Sequence, residues 1–165
     1  MTITLQAENL TDKADITQLI DTCFGTDRKT RTVYQFRDGI DAYEQLCMTA
    51  KDENDNLVGS LRFWPVTLPN GETIPLFGPL AVKPDLQGQG LGRRLIQAGH
   101  DQVKAGGYPA MLIIGRPDYY KPFGYNEDVI SNLQLPGPVA PLTFMGLEFK
   151  KGYLSKLSGL ITAAR

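Results

Sequence analysis

The sequence contains little cysteine and histidine, and neither sign of charge is in excess. Cys23 and Cys47 are its only cysteines and His100 is its only histidine, which excludes a Cys/His zinc site and a disulfide-rich scaffold. Seventeen Lys and Arg residues stand against eighteen Asp and Glu residues, for a formal net charge of −1. Because affinity for a phosphate backbone rests on a surplus of basic side chains, this balance argues against a nucleic-acid partner.

Long apolar runs are also absent from the sequence. No segment approaches the roughly 18 consecutive apolar residues of a membrane-spanning helix. The first residues, MTITLQAENLTDKADI, lack the basic stretch and apolar core of a secretory signal. We therefore expect no membrane partner. Two cysteines without an evident pairing fit a reducing compartment, so a cytoplasmic location is predicted.

The length and composition indicate one folded domain. The chain has 165 residues, of which 42% are apolar and 21% are charged. These values are ordinary for a globular protein, and we expect a single domain over residues 1–165. Most of the 17 glycines and 11 prolines fall between residues 65 and 141, so special backbone conformations are expected in that segment.

Apolar residues at three- and four-residue spacing predict the helices. The first helix is capped by Thr11 or Asp12 and is ended by Gly25. A weaker apolar pattern predicts a second helix at 27–36, and a third helix stops at Gly106. The tail from residue 150 is expected to be weakly helical or irregular.

Alternating or continuous apolar runs predict the strands. Pro69-Asn70-Gly71 is typical of a tight hairpin, because Asn and Gly tolerate positive φ. The order of strands and helices predicts an α/β (α+β) fold, with helices on both sides of one mixed sheet. Strands are predicted at 2–7, 46–52, 57–68, 73–82, 110–114, 129–135 and 143–149.

The segment 80–95 carries the clearest chemical signal. An apolar strand ends at Val82, and the loop 87–92, with glycine at three alternate positions, opens a helix. Glycines allow several backbone N–H groups to approach one point, and with the positive end of the helix dipole these groups favour a phosphate or pyrophosphate. Arg93 and Arg94 add positive charge to the first turn, and we assign the anion contact to Arg93.

Two motifs resemble those of a known family. Gly88-Gln89-Gly90-Leu91-Gly92-Arg93 fits neither the dinucleotide fingerprint nor the P-loop. The spacing Gln87-x-x-Gly90-x-Gly92 resembles the acetyl-CoA pyrophosphate loop of the GNAT superfamily of acyl-CoA N-acyltransferases. Tyr119-Tyr120-Lys121-Pro122-Phe123-Gly124-Tyr125 is similar to an aromatic motif that follows it in that family. With Gly-Pro-Leu-Ala-Val at 78–82, the chain resembles an uncharacterised bacterial branch of the superfamily.

The resemblance implies a fold and a set of binding residues. The GNAT-like fold is a mixed, mostly antiparallel twisted sheet with helices on both faces and splayed central strands, which here would part after Val82. Acetyl-CoA is implied as cosubstrate, and no metal is. Backbone groups of the strand would pair with the pantetheine arm as an added strand does. The implied contacts are Leu80, Ala81 and Val82 for the pantetheine, and Gln87, Gly88, Gln89, Gly90, Leu91, Gly92 and Arg93 for the pyrophosphate.

The resemblance also implies N-acetyl transfer from acetyl-CoA to a primary amine by direct attack, with Tyr120 as general acid. A phenol with a pKa of about 10 is protonated at neutral pH and can donate to the departing thiolate. A backbone N–H near Val82 would polarise the thioester carbonyl. No nucleophile–histidine pair is evident, which argues against a covalent acyl-enzyme. The candidates for the base are Glu72, Asp118, Glu148 and a chain of water molecules.

Other functions stay open at this point. One is a CoA-binding regulatory or scaffold module without efficient turnover. Two features favour it: no carboxylate lies within 76–82, and the Asn that the family often has after the strand at 110–114 is replaced by Gly115-Arg116-Pro117-Asp118. A transferase for a longer acyl donor and a nucleotide-binding protein are further alternatives. Small metabolites, amino acids, polyamines, antibiotics and protein amines are all candidate acceptors, and a homodimer through the strands after Val129 is considered.

Several single residues have a structural and a functional interpretation. The loop 87–92 could only pack a helix close to the sheet, and Tyr120 could be a core tyrosine. Arg62, Phe63 and Trp64 alternate faces of a strand, one of which could border the acceptor pocket, but a plain packing role is preferred for them. Family members select substrates with the region that here holds Tyr34, Phe36 and Tyr43. Elsewhere the structural interpretation is preferred: His100 is predicted to be exposed, and Cys23 and Cys47 to be structural.

Overall fold

The computed structural model describes residues 2–165. The helices are α1 (Lys13–Phe24), α2 (Leu91–Ala105) and α3 (Pro117–Tyr120). The strands are β1 (Thr4–Ala7), β2 (Met48–Lys51), β3 (Leu57–Thr67), β4 (Thr73–Val82), β5 (Ala110–Ile114), β6 (Leu133–Gln134), β7 (Phe144–Glu148), β8 (Gly159–Leu160) and β9 (Thr162–Ala163). Short 3-10 helices lie at Leu10–Asp12, Arg28–Thr30, Thr32–Phe36, Pro84–Leu86, Lys121–Phe123 and Asp128–Ile130. No helix in this range is long and apolar enough to cross a membrane.

One sheet organises the fold. Six strands lie side by side in the order β1-β2-β3-β4-β5-β7, and β9 pairs with the end of β3. Every pair in this sheet is antiparallel except β4 with β5. The strands β6 and β8 form a separate parallel pair. The predicted mixed, mostly antiparallel sheet is confirmed.

The hairpin of β3 and β4 is the centre of the sheet. It runs from the pair Thr67↔Thr73 to the pair Gly59↔Val82. At its tip the N–H of Leu68 donates to the carbonyl of Glu72 over 2.8 Å, and Gly71 has a φ of 86°. Glycine adopts that left-handed conformation without a steric penalty, which is why the predicted turn forms there.

The two long helices cover opposite faces of this hairpin. Leu95 of α2 is fully buried and packs in one cluster with Phe63 and Val82, whereas Ile16 of α1 packs in another cluster with Ala81. Successive side chains of a strand point to opposite faces, so Ala81 faces α1 and Val82 faces α2. Burying a side chain of this size contributes roughly 1.5–3 kcal/mol. The expected helices on both faces are confirmed.

The central strands β4 and β5 part earlier than the sequence indicates. They pair only at Leu76↔Leu112 and Phe77↔Ile113, whereas β4 stays paired with β3 as far as Val82. The expectation that the strands part after Val82 is therefore wrong by five residues. Gly78 has a φ of 109°, outside the range of an extended strand, and this turn of the backbone separates β4 from β5.

Two local predictions are also wrong. The helix expected at 27–36 is two 3-10 helices, because Arg31 between them is extended, with φ −74° and ψ 148°. The strand expected at 129–135 is reduced to β6. Asn126 accepts the N–H of Val129 over 3.1 Å and begins a 3-10 turn there. The tail after residue 150, in contrast, is irregular, which is one of its two expected forms, apart from two strands of two residues each.

His100 is buried rather than exposed. Only 9% of its surface is accessible, and its Nε2 lies 2.9 Å from the hydroxyl of Tyr125. Its ring also contacts those of Phe77 and Phe123. The prediction rested on the neighbouring Asp101, but position 100 is four residues from the buried Ile96 and therefore lies on the apolar face of α2.

Candidate active site

The loop between β4 and α2 has the conformation of an anion site. Leu86 is buried and anchors the loop, while Gly88 and Gly90 have φ values of 80° and 89°. A methyl carbon on either glycine would meet no atom within 4 Å. The positive φ values, and not a lack of space for a side chain, therefore account for glycine at both positions. The outer side of the loop is open.

The backbone N–H groups of this loop have no acceptors of their own. Within residues 2–165 no hydrogen bond satisfies the N–H groups of Gly88, Gln89 and Gly90, and the first bond of α2 runs from the N–H of Arg94 to the carbonyl of Gly90 over 3.1 Å. The N–H groups of residues 91–93 precede that bond, so they too lack helical acceptors. A row of free donors at the positive end of a 15-residue helix favours an anion.

The two arginines in the first turn of α2 differ in their surroundings. Arg94 donates from Nη2 to the carbonyl of Ile3 over 3.2 Å. The guanidinium of Arg93 lies 5.9 Å from the ring centroid of Phe123, and no carboxylate of the described chain pairs with it. Arg93 is therefore the arginine that is free to contact an anion at the loop.

The strand that leads into the loop presents part of its backbone to the gap left by β5. The N–H of Lys83 donates to Val58 on β3 over 2.9 Å. Backbone groups alternate sides along a strand, so those of Ala81 also point to β3 and those of Leu80 and Val82 point to the gap. The Val82 carbonyl already accepts from Nε2 of Gln87 over 3.0 Å and from Sγ of Cys23 over 3.4 Å.

Tyr120 lies where the pairing of β4 with β5 ends. A methyl carbon on Gly115, the residue after β5, would lie 2.7 Å from Cε2 of Tyr120, and the ring centroid of Phe77 is 5.5 Å away. Burial, with a smaller contribution from Tyr119, raises the pKa of Tyr120 above its ordinary value. Its hydroxyl makes no hydrogen bond within the described chain. The phenol is therefore protonated and available as a donor.

The rest of the aromatic motif has a supporting role. Tyr125 is 1% exposed, and its hydroxyl donates to Sδ of Met111 over 3.0 Å. Gly124 has a φ of 106° and ends the turn before it. The hydroxyl of Tyr119 is 2.9 Å from the position of a methyl carbon on Gly92. Tyr119 therefore lies at the glycine loop, and Tyr120 lies at the parting of the strands.

A pocket of about 350 Å³ opens on the sheet between α1, the segment 28–44 and the strands β3 and β4. Tyr34, Arg62 and Trp64 line it. Phe36, Phe63 and Tyr43 instead pack in the core. Further charged residues of the lining carry no signal in the sequence, because isolated charges in irregular segments have no periodicity. They are Lys13, Arg28, Lys29, Arg37, Asp38, Asp41 and Glu44.

None of the three carboxylates considered as a base lines this pocket. Glu72 accepts from the hydroxyl of Tyr153 over 2.7 Å. Glu148 accepts from the backbone N–H groups of Gly152 and Leu154. Asp118 is exposed and lies 3.9 Å from Arg116. Glu72 and Glu148 thus have structural partners. Within residues 2–165 no three His, Cys, Asp or Glu side chains cluster as metal ligands do.

Comparison with known proteins places this geometry in a family. The chain is 29% identical over 152 residues to YhbS of Escherichia coli K12, an uncharacterised N-acetyltransferase. The match covers 91% of this chain and 89% of YhbS. It is 28% identical over 138 residues to YjhQ, an uncharacterised N-acetyltransferase of the same strain, over 82% of this chain and 75% of YjhQ.

Solved structures agree with the sequence matches. Escherichia coli YhbS in complex with CoA has a TM-score of 0.81 at 27% identity, over 98% of this chain and 89% of that one. A GNAT acetyltransferase of Brucella melitensis in complex with acetyl-CoA has a TM-score of 0.71 at 21% identity, over 98% and 95%. The family model described as acetyltransferase (GNAT) domain matches residues 6–127. The chain belongs to the GNAT family of acetyltransferases.

Proposed function

We propose that the protein transfers the acetyl group of acetyl-CoA to a primary amine by direct attack. The observation that carries this proposal is the arrangement around one gap in the sheet. Free N–H groups of the loop 87–92 lie where β4 ends, and the phenol of Tyr120 lies where β4 leaves β5. The CoA complex of the related YhbS supports acetyl-CoA as cosubstrate.

The loop and the strand edge would hold the cosubstrate. The N–H groups of residues 88–93, with the side chain of Arg93, would bind the pyrophosphate. The backbone groups of Leu80 and the N–H of Val82 face the gap, so they would hydrogen-bond the pantetheine as a neighbouring strand does. Ala81 would contribute its buried side chain on the α1 face instead, and Gln87 would fix the Val82 carbonyl.

Tyr120 would supply the proton for the leaving group. Acetyl-CoA supplies an activated acetyl thioester. When the amine nitrogen bonds to the acetyl carbon the carbon–sulfur bond breaks, and the sulfur receives the Tyr120 proton. The amine gives up a proton to solvent, and the Tyr120 phenolate takes one back from solvent. Because burial raises the pKa of Tyr120, its hydroxyl is protonated throughout the neutral range and acts as an acid and not as a base. The N–H of Val82 would stabilise negative charge on the acyl oxygen.

The test is thiol release from acetyl-CoA across a panel of primary amines, followed with a thiol reagent. We expect Tyr120→Phe to lower kcat by about 100-fold or more with little change in acetyl-CoA affinity. Tyr108→Phe is the matched control, because Tyr108 packs on Tyr43 away from the gap, and its kcat should stay within about twofold of wild type.

Three outcomes would contradict parts of this proposal. An unchanged single-turnover rate in Tyr120→Phe would remove the acid role. Acetyl-CoA binding without thiol release from any amine would favour a CoA-binding module instead. Faster release from longer acyl-CoAs in direct competition would assign a different donor.

A further inference from the structure

The pocket next to β4 contains three arginines, and only two of them are neutralised. Arg28 forms an ion pair with Asp21. Arg62 forms two bonds to the carboxylate of Glu8, from Nε over 3.1 Å and from Nη2 over 3.0 Å. Arg37 has no ion pair with any carboxylate of residues 2–165. A guanidinium in a partly closed pocket is therefore left without a counter-charge.

Two buried donors in the same pocket also lack partners. Nε of Arg37 and Nε1 of Trp64 are buried, and neither has a hydrogen-bond acceptor in the described chain. Both side chains line the pocket. Removing such groups from water without an acceptor typically costs about 1–3 kcal/mol each. An unsatisfied buried donor in a native protein calls for an explanation, such as a bound water or ion, local strain or a role in function.

Arg37 is placed where the reaction would occur. Its Nη2 lies 3.4 Å from the position of a methyl carbon on Gly78, the residue at which β4 turns away from β5. Pro79, the next residue, also lines the pocket. The unpaired guanidinium is thus adjacent to the point on β4 where the gap between the strands begins.

We propose that this pocket takes an acceptor amine that carries a carboxylate, as a free amino acid does, and that Arg37 binds the carboxylate. This inference rests on the proposed acetyl transfer. Guanidinium and carboxylate form a planar two-bond pair. A volume of about 350 Å³ is at the small end of the range for single small-molecule ligands, roughly 300–1,000 Å³.

The charges around the pocket separate this acceptor from the other candidates. Exposed Asp38, Asp41 and Glu44 line the pocket along with Arg37. They favour the ammonium group of an amino acid, while Arg37 and the exposed Lys13 and Lys29 of the same lining oppose a polyamine. Burial lowers the pKa of Arg37 to about 10 against an opposing effect of Tyr34, and Arg62 and Arg28 lower it further. A bound carboxylate would relieve that unfavourable field.

The first test uses matched acceptors that differ only in the acidic group. Thiol release is measured with an amino acid, its carboxamide, its decarboxylated amine and its phosphonate analogue. We expect kcat/KM to be highest for the carboxylate. In Arg37→Gln, kcat/KM for the carboxylate should fall by roughly 10- to 100-fold, the range for a lost hydrogen bond to a charged group, while the decarboxylated amine changes by less than threefold. Arg37→Lys should recover part of the loss.

Lys151→Gln is the matched control. It removes one positive charge from an exposed residue that does not line the pocket, and it should change no acceptor preference by more than threefold. A wild-type enzyme that acetylates the carboxamide or the phosphonate as fast as the carboxylate would overturn the inference. An unchanged preference in Arg37→Gln would overturn it as well.

A binding measurement separates this inference from the proposed function. Thermal shifts are recorded for wild type and Arg37→Gln with CoA and an N-acetyl amino acid, which needs no turnover. We expect the N-acetyl amino acid to stabilise wild type only, and CoA to stabilise both. If no amine releases thiol but the shift depends on Arg37, the proposed transfer fails while the carboxylate site stands. If amines are acetylated but no shift depends on Arg37, the carboxylate site fails alone.

Discussion

The ring of Tyr120 lies directly against Gly115, the first residue after β5. A methyl carbon at position 115 would be 2.7 Å from Cε2 and 2.9 Å from Cδ2 of that ring, closer than two carbon atoms can approach. The N–H of Gly115 donates to the carbonyl of Thr143 over 3.0 Å, so the backbone cannot easily withdraw. The absence of a side chain at Gly115 therefore sets the position of the Tyr120 hydroxyl.

We predict that Gly115→Ala displaces the ring of Tyr120 and lowers kcat by at least tenfold. A misplacement of about 1 Å in a reacting group can lower a rate by about 100-fold, and overpacking of this kind typically destabilises by about 1–3 kcal/mol. Acetyl-CoA affinity should stay near the wild-type value. The measurements are kcat by thiol release, the dissociation constant of acetyl-CoA and the free energy of unfolding.

Gly106→Ala is the control for Gly115→Ala. Gly106 also faces a tyrosine ring, with a methyl carbon 3.1 Å from Cε2 of Tyr108, but it lies at the end of α2. A comparable loss of kcat in this variant would mean that crowding against any tyrosine, and not the position of Tyr120, limits the rate.

The site was predictable where its signals are local, and not where distant segments meet. The loop 87–92 and Tyr120 can be singled out from the sequence because each belongs to a characteristic motif in a short stretch. Arg37 was missed because its neighbours Trp64 and Gly78 are brought to it only by the packing of β3 and β4. The parting of the strands at Phe77 was misplaced because pairing with β5 depends on residues 112 and 113.

The same distinction applies to the fold. The hairpin at Gly71 and the end of α1 at Gly25 follow from single glycines with positive φ. The segment 27–36 has too weak an apolar pattern to form a full helix. It forms two 3-10 helices, and several of its residues line the pocket. His100 lies on the buried face of α2 by helical spacing. A polar side chain is expected to face solvent, but here the hydroxyl of Tyr125 provides a buried partner for it.

Backbone conformation at the glycine loop gives a second prediction. Gly90 begins α2 in the left-handed region, with a φ of 89°. Gly90→Ala should shift the free N–H groups that follow it and weaken acetyl-CoA binding by about tenfold, equivalent to about 1.4 kcal/mol. It should also lower stability by roughly 1–2 kcal/mol, because an L-residue is strained at that φ. Calorimetric titration with acetyl-CoA measures the first effect.

Gly71→Ala is the matched control for Gly90→Ala. Gly71 has a φ of 86°, and a methyl carbon there also meets no atom within 4 Å, but the residue lies at the tip of the hairpin away from the loop. Its stability should fall by the same amount while acetyl-CoA affinity is retained. If the two variants bind acetyl-CoA equally, the loop around Gly90 is not where the pyrophosphate is held.

The burial of His100 gives a prediction about pH. Burial lowers the pKa of His100, against a smaller opposing effect of Asp101, so the ring is neutral in the folded protein and takes up a proton more readily when the chain unfolds. Its contribution to stability is therefore fully present above the unfolded pKa of about 6.5 and is lost as the pH falls below it, by at most about 1.4 kcal/mol per pH unit.

His100→Gln should remove this dependence. Glutamine keeps a polar group opposite the Tyr125 hydroxyl but does not titrate, and the chain has no other histidine. We expect the free energy of unfolding of wild type, measured by urea denaturation between pH 7 and pH 5, to fall with decreasing pH, and that of His100→Gln to stay nearly constant. An equal slope in both proteins would contradict the prediction, because the proton uptake would then not belong to His100. Asp12 and Glu148, whose pKa values are lowered in the fold, lose their contribution to stability only at more acidic pH.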